Sequence, residues 1–241
     1  MGRHETLQML ETGKMPERYL RNLGTIGISG QLRLLNAKVA VVGAGGLGGG
    51  IVELLTRQGV GYLRIIDGDV FAAHNLNRQL LSTERNLGMN KAIAATHRVA
   101  DVNSDVSAEA VPKMLETENA AELLAGMDVV VDALDNFSSR LILSKTTQEL
   151  GIPLVHGAIA GFTGQVTTLL PGDQWLEKNC STGADKGIET GLGNPATTPA
   201  LTAAIQTQEV IKLLTGVGEL LHRKLLYFDT EVNVFEILTI G

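Results

Sequence analysis

The chain has 241 residues, of which 44% are hydrophobic and 19% are charged, and its formal net charge is −6. This is the composition of a globular chain long enough to bury a core without the help of disulfide bonds or metals. The single cysteine, Cys180, excludes an internal disulfide and a zinc cluster built on cysteines, and the acidic balance argues against nucleic acid as the main partner.

No part of the sequence predicts a membrane protein or a secreted one. The chain lacks a run of about 18 apolar residues, which a membrane-spanning helix needs. Its N-terminal residues lack the apolar segment of a secretory signal. We therefore expect a cytoplasmic protein that does not associate with membranes.

The first half of the chain alternates short apolar runs with helical patterns. A helix is expected to end at Gly59, where a left-handed C-cap fits, and another to run from a cap at Asn90 to about Ala100. Strands separated by helices predict parallel βαβ units in a doubly wound sheet. The apolar runs that predict buried strands cover residues 38–43, 62–67, 106–111 and 128–133.

The second half predicts a different arrangement of strands. Apolar runs indicate strands over 165–170, 224–228 and 232–238, and the short gap between the last two predicts an antiparallel hairpin. Thr198 and Pro199 are read as the N-cap and first residue of a helix that ends at Gly216. Residues 172–197 lack periodicity and are read as a long loop.

These elements predict one α/β domain. Its Rossmann-like parallel sheet in the N-terminal half is continued by antiparallel strands into one mixed sheet, with a long crossover loop. We expect a single domain over residues 1–241. It divides into an N-terminal helical arm (1–35), a nucleotide-binding half (36–135) and a C-terminal half (136–241) that contains loop 172–197.

A glycine motif follows the first predicted strand. Residues 43–48 read GAGGLG, which matches G-x-G-x-x-G between a strand and a helix. Asp67, at the end of the next strand, lies about 20 residues further on, which suits a ribose hydroxyl. The motif indicates nucleotide binding rather than a purely structural turn, and at this point a nicotinamide enzyme is the first interpretation.

The charged residues that follow favour a triphosphate. Arg78, in HNLNRQ, and Lys91, in GMNK, supply a planar fork and a point charge for a ligand with about four negative charges. Asp135 follows a strand at the edge of the sheet where ligands bind and can hold Mg²⁺. The alternatives are solvated surface charges and a helix-capping aspartate.

The motifs GAGGLG, GVGYLRIIDGD, HNLNRQ, GMNKA and DALDN, in this order and spacing, resemble the ThiF/MoeB/HesA family of ubiquitin-activating-type adenylyltransferases. The similarity runs from about Arg18 to Phe235 and includes HGAIAGFTGQV at 156–166 and QTQEVIKLLTG at 206–216. A pattern with this many parts is far more specific than a single glycine motif.

The resemblance implies a site residue by residue. Asp67 would bind the ribose, Asp135 would hold magnesium, and Arg21 would reach into the ATP site of the other subunit of a homodimer. The nucleotide-binding residues it implies are Gly43, Gly45, Gly46, Asp67, Asn75, Arg78, Gln79 and Lys91. The catalytic residues it implies are Arg21, Arg78, Lys91 and Asp135.

The function implied by the resemblance is adenylylation, with ATP and Mg²⁺, of the C-terminal glycine of a ubiquitin-like sulfur-carrier protein ending in Gly-Gly. Carriers of the ThiS or MoaD type serve thiamine, molybdopterin or related cofactor synthesis. With no rhodanese domain in the sequence, sulfur would come from another protein, such as a cysteine desulfurase or a rhodanese.

Two departures from the family concern cysteine. The zinc-binding C-x-x-C pairs of many members are absent, so no zinc is expected. The crossover cysteine of some members corresponds to a place near Ile188 and Glu189, so Cys180 is read as a bystander thiol.

Three other functions remain open. One is adenylylation of a carboxylate on tRNA, against which the acidic balance counts. A second is a non-catalytic scaffold subunit, which predicts loss of the phosphate-binding charges, although Arg21, Arg78, Lys91 and Asp135 are all present. The third is a nicotinamide oxidoreductase.

Overall fold

A computed structural model describes residues 2–179 and 189–240. Within these residues it contains one mixed sheet of eight strands. The strands are β1 (Lys38–Val42), β2 (Tyr62–Ile66), β3 (Ser107–Val111), β4 (Val129–Asp132), β5 (Leu154–Ala160), β6 (Thr163–Leu169), β7 (Lys224–Asp229) and β8 (Val234–Thr239). Their order in the sheet is β3-β2-β1-β4-β5-β6-β7-β8.

The sheet is parallel from β3 to β5 and antiparallel from β5 to β8. The predicted α/β class with one mixed sheet is confirmed, and β7 and β8 form the predicted antiparallel pair. At β1 the chain order reverses, because β2 lies on one side of it and β4 on the other. In open α/β sheets, ligands bind beside such a reversal, at the carboxyl ends of the strands.

Helices cover both faces of the sheet. Val39 and Val41 of β1 belong to a core beneath four helices, whereas Ala40 and Val42 belong to a second core on the opposite face. The alternation follows from the two-residue side-chain period of a strand. The helices are α1 (Arg3–Glu11), α2 (Leu23–Asn36), α3 (Gly46–Gln58), α4 (Lys91–Val102), α5 (Ala120–Leu124), α6 (Phe137–Leu150), α7 (Trp175–Asn179), α8 (Glu189–Leu192) and α9 (Thr197–Thr215).

Several predicted helix ends are confirmed. Gly59 and Gly216 are left-handed caps at the ends of α3 and α9, and the Asn90 side chain accepts a hydrogen bond from Ile93 N at the start of α4. The predicted start of α9 was wrong, because the helix begins at Thr197. The Thr198 hydroxyl instead donates to the carbonyl of Gly161 at 2.7 Å, which ties the helix to the turn between β5 and β6.

The prediction of a continuous loop over 172–197 was also wrong in its described parts, since α7 and α8 lie within it. Leu176 of α7 is only 2% exposed and packs in the second core, so burial supports a helix that has no periodicity of its own.

Strand β5 was missed because LVHGAIA contains a histidine and a glycine in place of a uniform apolar run. Gly157 is required there, since a Cβ at this position would lie 2.3 Å from Cδ of Gln206 in α9.

The N-terminal segment packs on residues 103–105 through buried polar groups. Tyr19, in the 3-10 segment Glu17–Asn22, is 1% exposed, and its hydroxyl accepts a hydrogen bond from Nδ2 of Asn103 at 2.9 Å. Asp105 accepts hydrogen bonds from the hydroxyls of Thr6 and Tyr19. In the described part of the chain, no helix has the length and apolar character needed to cross a membrane.

Candidate active site

A cavity of about 940 Å³ opens at the carboxyl ends of β1, β2 and β4. Its wall continues along β5 and β6 to Tyr227 of β7. The cavity therefore spans the junction between the parallel and antiparallel halves of the sheet. The sequence-predicted residues in its wall are Gly43, Gly45, Gly46, Asp67, Arg78, Gln79, Lys91 and Asp135.

The glycine loop joins β1 to α3 at the floor of the cavity. Gly43 has a φ of +95°, and a Cβ on it would lie 2.5 Å from the Ala133 carbonyl oxygen. A Cβ on Gly48 would lie 1.8 Å from the Gly43 carbonyl oxygen. Gly46 is different: its nearest neighbour would be Cβ of Pro199 at 3.4 Å. The loop thus needs Gly43 and Gly48 for its own packing, while Gly46 leaves space beside the cavity.

Asp67 supports this loop from the end of β2. Its Oδ2 accepts a hydrogen bond from Ala44 N at 2.7 Å, and its Oδ1 accepts one from Asp69 N at 2.8 Å. Burial raises the pKa of Asp67 above its usual range, although both backbone hydrogen bonds act in the opposite direction. The carboxyl remains in the cavity wall, where it can accept a hydrogen bond from a ligand hydroxyl.

Of the two predicted cations, one is buried and the other is half-buried. Lys91, at the start of α4, is only 7% exposed, and its Nζ lies 2.9 Å from Oδ2 of Asp69. Arg78 is half-buried, and its Nη1 donates to the carbonyl of His74 and to Oδ1 of Asn77. Both line the cavity, as does Lys113, which sequence reasoning did not single out. Together they give the pocket positive groups suited to a polyphosphate.

Gln79 and Asn75 belong to the same turn, but only Gln79 is in the described cavity wall. Gln79 is 6% exposed and lines the cavity, and its buried Oε1 lacks a hydrogen-bond partner among the described residues. Asn75 is outside the described cavity wall. Its Oδ1 accepts from Ala72 N at 2.9 Å, and its carbonyl accepts from the backbone N–H groups of Arg78 and Gln79. The structure therefore places Asn75 as a support for its neighbours.

Asp135 is exposed and lies in the cavity wall after β4. The alternative interpretation as a helix-capping aspartate is wrong, because Asn136 caps α6 by accepting a hydrogen bond from Ser139 N at 2.8 Å. Arg21 is exposed in the 3-10 segment near the N-terminus and is outside the cavity wall described for this subunit.

A buried group that sequence reasoning missed lies directly behind this wall. Asp132, at the end of β4, is fully buried, and its Oδ2 lies 2.6 Å from Nδ1 of His156 in β5 and 3.5 Å from Nε of Arg140 in α6. Arg140 lines the cavity. The signals were available, since Asp132 begins the DALDN motif and Arg140 follows one turn into the next helix, but only Asp135 was singled out.

Charges within this group are set by burial and by the partners. Burial by itself would raise the pKa of Asp132, but Arg140, His156 and the N–H of Leu134 together hold it below its usual range. Burial lowers the pKa of His156. We therefore assign a charged Asp132 and a neutral His156 that donates its Nδ1–H to the carboxylate.

The part of the wall beyond the glycine loop is lined by uncharged residues. It includes 158–160 of β5, 163–165 of β6 and Asn194 after α8. This uncharged lining contrasts with the cation-rich part near Arg78 and Lys91. Cys180 and Ile188 lie outside the described residues, as does the side chain of Glu189.

Comparison with known proteins gives consistent results. A family model described as the ThiF family matches residues 19–240. A SAMP-activating enzyme E1 of Haloferax volcanii is 40% identical over 228 residues, covering 91% of this chain and 83% of that protein. A sulfur carrier protein adenylyltransferase of Thermus thermophilus is 37% identical over 241 residues, covering 93% of this chain and 87% of that protein.

Among solved structures, the MccB protein of E. coli with ATP has a similar fold, with a TM-score of 0.81 at 21% identity, covering 99% of this chain and 78% of that one.

Proposed function

The chain belongs to the ThiF family and is a nucleotidyltransferase, and on this premise we propose that it uses ATP to adenylylate the C-terminal glycine of a ubiquitin-like sulfur-carrier protein. By their names, one of the relatives reported above activates SAMP and the other adenylylates a sulfur carrier protein. The proposed acceptor is of the ThiS or MoaD type, in the synthesis of thiamine, molybdopterin or a related cofactor.

The lining of the cavity is the observation that carries this proposal. One cavity is lined by Arg78 and Lys91 and also by residues of β5 and β6 and by Tyr227 of β7. A nucleotide triphosphate fits the part with Arg78 and Lys91 by charge. The wall along β5 and β6 has uncharged lining residues and would take an extended peptide ending in glycine, whose carboxylate would then meet the phosphates in the same cavity.

The reaction needs charge stabilisation more than proton transfer. A C-terminal carboxylate has a pKa of about 3.5 and is already ionised at neutral pH. Its oxygen attacks the α-phosphorus of ATP, the bond from that phosphorus to the bridging oxygen breaks, and pyrophosphate leaves with the electron pair. Arg78 and Lys91 hold the anions in place and offset the charge on the leaving group.

The residues present also suit magnesium bound together with ATP. Mg²⁺ at nucleotide sites is commonly held by one or two carboxylates plus substrate phosphates and water. Asp135 is exposed in the cavity wall and supplies such a carboxylate. Among the residues whose side chains the structure describes, no group of three or more His, Cys, Asp or Glu could hold a metal. In this proposal, ATP phosphates and water would supply the remaining ligands. Bound there, the ion would neutralise phosphate charge.

The proposed assembly is a homodimer in which Arg21 of each subunit completes the ATP site of the other. Its exposure, away from the cavity of its own chain, supports a role across an interface. The sulfur donor proposed for the carrier is a cysteine desulfurase or a rhodanese.

The proposal is tested by ATP–pyrophosphate exchange with the purified chain, Mg-ATP and a carrier ending in Gly-Gly. Arg78→Ala and Asp135→Ala should each reduce exchange by about 100-fold or more, because each removes a preorganised charge. Lys145→Ala and Glu149→Ala, which alter an exposed ion pair on α6, are matched controls and should retain wild-type exchange.

Wild-type exchange in Arg78→Ala or Asp135→Ala would contradict the site assignment. Calorimetry with ATP and NAD distinguishes the nicotinamide alternative, which predicts binding of NAD in place of ATP. A scaffold subunit would show no exchange with any carrier, and a tRNA-directed enzyme would respond to tRNA but not to the carrier.

A further inference from the structure

Arg140 is held in the cavity wall from two sides. Its Nη2 donates to the carbonyl of Leu134 at 2.6 Å, and its Nε lies 3.5 Å from the carboxylate of Asp132. The Nε is buried and makes no hydrogen bond within the described chain. The side chain is 11% exposed, so its guanidinium has little freedom to move.

The group that holds Arg140 is itself fixed by two strands. Asp132 ends β4, and His156 is its register partner on β5. The Asp132 carboxylate accepts a hydrogen bond from Leu134 N at 2.9 Å in addition to that from His156. Without the His156 donor, only the hydrogen bond from Leu134 N to Oδ1 would hold the carboxylate, and its Oδ2 would be less firmly directed at Arg140.

Helix α7 covers this pair. The Trp175 ring lies 6.0 Å from the His156 ring, centroid to centroid, at an angle of 52°. Glu177 accepts a hydrogen bond from the Ser144 hydroxyl on α6 at 2.8 Å, and Leu176 is buried in the core beneath. Helix α6 carries Arg140 and strand β5 carries His156, and α7 packs against residues of both elements.

We propose that Asp132 and His156 are positioning residues that hold the Arg140 guanidinium toward the phosphates of the bound nucleotide, and that Trp175 shields the pair from water. A charged carboxylate that is itself held by hydrogen bonds, and that lies beside Nε of an arginine, favours one orientation of the guanidinium. The other N–H groups of the guanidinium then point in a fixed direction. This inference rests on the proposed function for the identity of the nucleotide, and its test includes binding measurements that do not depend on catalysis.

The central experiment is a double-mutant cycle on the full chain, with the dissociation constant for ATP measured by calorimetry. Arg140→Ala and His156→Leu should each weaken ATP binding about 10-fold, since a misplaced contact group costs up to about 100-fold in related settings. The double variant should bind ATP as weakly as Arg140→Ala alone, because His156 acts only through Arg140. His156→Asn places an amide N–H near the position of the imidazole Nδ1–H. Unlike His156→Leu, this variant should bind ATP to within about threefold of the wild type.

Trp175 provides an independent check on structure. It is the single tryptophan of the chain, so its emission maximum reports whether α7 remains seated on His156 in each variant. If His156→Leu does not fold, the isosteric Asp132→Asn takes its place in the cycle, with the same 10-fold loss expected.

Additive effects of the two substitutions, or wild-type ATP binding in the folded His156→Leu or Asp132→Asn variant, would overturn the inference. If the wild-type chain binds ATP but shows no carrier-dependent exchange, the proposed function fails while the binding cycle still decides the role of His156.

Discussion

At the scale of single residues, two glycines of the loop differ in the space available for a side chain. Gly48 has no room for a side chain because the Gly43 carbonyl oxygen would be 1.8 Å from a Cβ. At Gly46 the nearest contact would be 3.4 Å, an ordinary van der Waals distance. One glycine is therefore required by the packing of the loop itself, and the other by the space proposed for a nucleotide.

These two requirements are separable by experiment. Gly48→Ala should lower the free energy of unfolding by about 2–3 kcal/mol or more, because the clash is with backbone and cannot be relieved by a rotamer change. Gly46→Ala should leave the stability unchanged or raise it by about 0.5–1 kcal/mol, as expected for alanine replacing glycine in a helix, while weakening ATP binding. Urea unfolding and calorimetry of both variants provide the measurement. Equal stabilities would contradict the packing role of Gly48.

At the scale of elements, the N-terminal arm is attached to the sheet through buried polar groups. Burial raises the pKa of Tyr19 to about 12, against the hydrogen bond from Asn103, which acts in the opposite direction. Because the pKa in the folded state is higher than in the unfolded state, the neutral phenol contributes stability that is fully present below about pH 10. That contribution is lost as the pH rises toward 12.

Tyr19→Phe removes this titration and the acceptor for Asn103. At pH 8 the variant should be less stable by about 1–2 kcal/mol, because a buried donor loses a partner. Between pH 10 and pH 12 the wild type should lose stability more steeply than the variant, by about 2–3 kcal/mol, as about two units of pKa imply. Urea unfolding at a series of pH values measures both. Parallel pH profiles for the two proteins would show that Tyr19 does not titrate in this way.

At the scale of the whole molecule, Arg21 lies beside exposed apolar side chains. Leu20 is 49% exposed and Leu23 is 43% exposed. In the proposed homodimer, a second copy of the chain would cover these side chains and Arg21 would reach the partner's cavity. A two-fold dimer would exchange the same segment in both directions and form two composite sites.

Subunit mixing tests the proposed exchange. Arg21→Ala and Asp135→Ala homodimers should both be inactive in ATP–pyrophosphate exchange, since each contains two damaged sites. After mixing and re-equilibration, about half of the dimers should be heterodimers, each with one intact site, so activity should return to about a quarter of wild type. Mass spectrometry is the control for subunit exchange. Confirmed exchange without recovered activity would show that Arg21 does not act in trans.

The sequence by itself determined the features that depend on near neighbours. The runs around Val39 and Val131 form buried parallel strands because consecutive valine and alanine side chains face both cores, and Gly59 ends a helix because its left-handed conformation suits glycine. Gly43, Gly45, Gly46, Asp67, Lys91 and Asp135 line one cavity because they follow a strand or begin a helix at the same edge of the sheet, and Arg78 joins them from the connection between β2 and α4. These positions along the chain, together with the family resemblance, predicted that meeting.

Only the tertiary structure decided the features whose partners are distant in sequence. Strand β5 contains His156 and Gly157, which look unfavourable until Asp132 pairs with the first and Gln206 packs against the second. The role of Asn75 depended on which backbone groups its side chain and its carbonyl contact. The formation of helix α7 depended on the burial of Leu176 in the second core, which the sequence pattern of the helix does not predict. In each case the stabilising group lies on another element, and the free energy of burial and pairing outweighs the local preference of the segment.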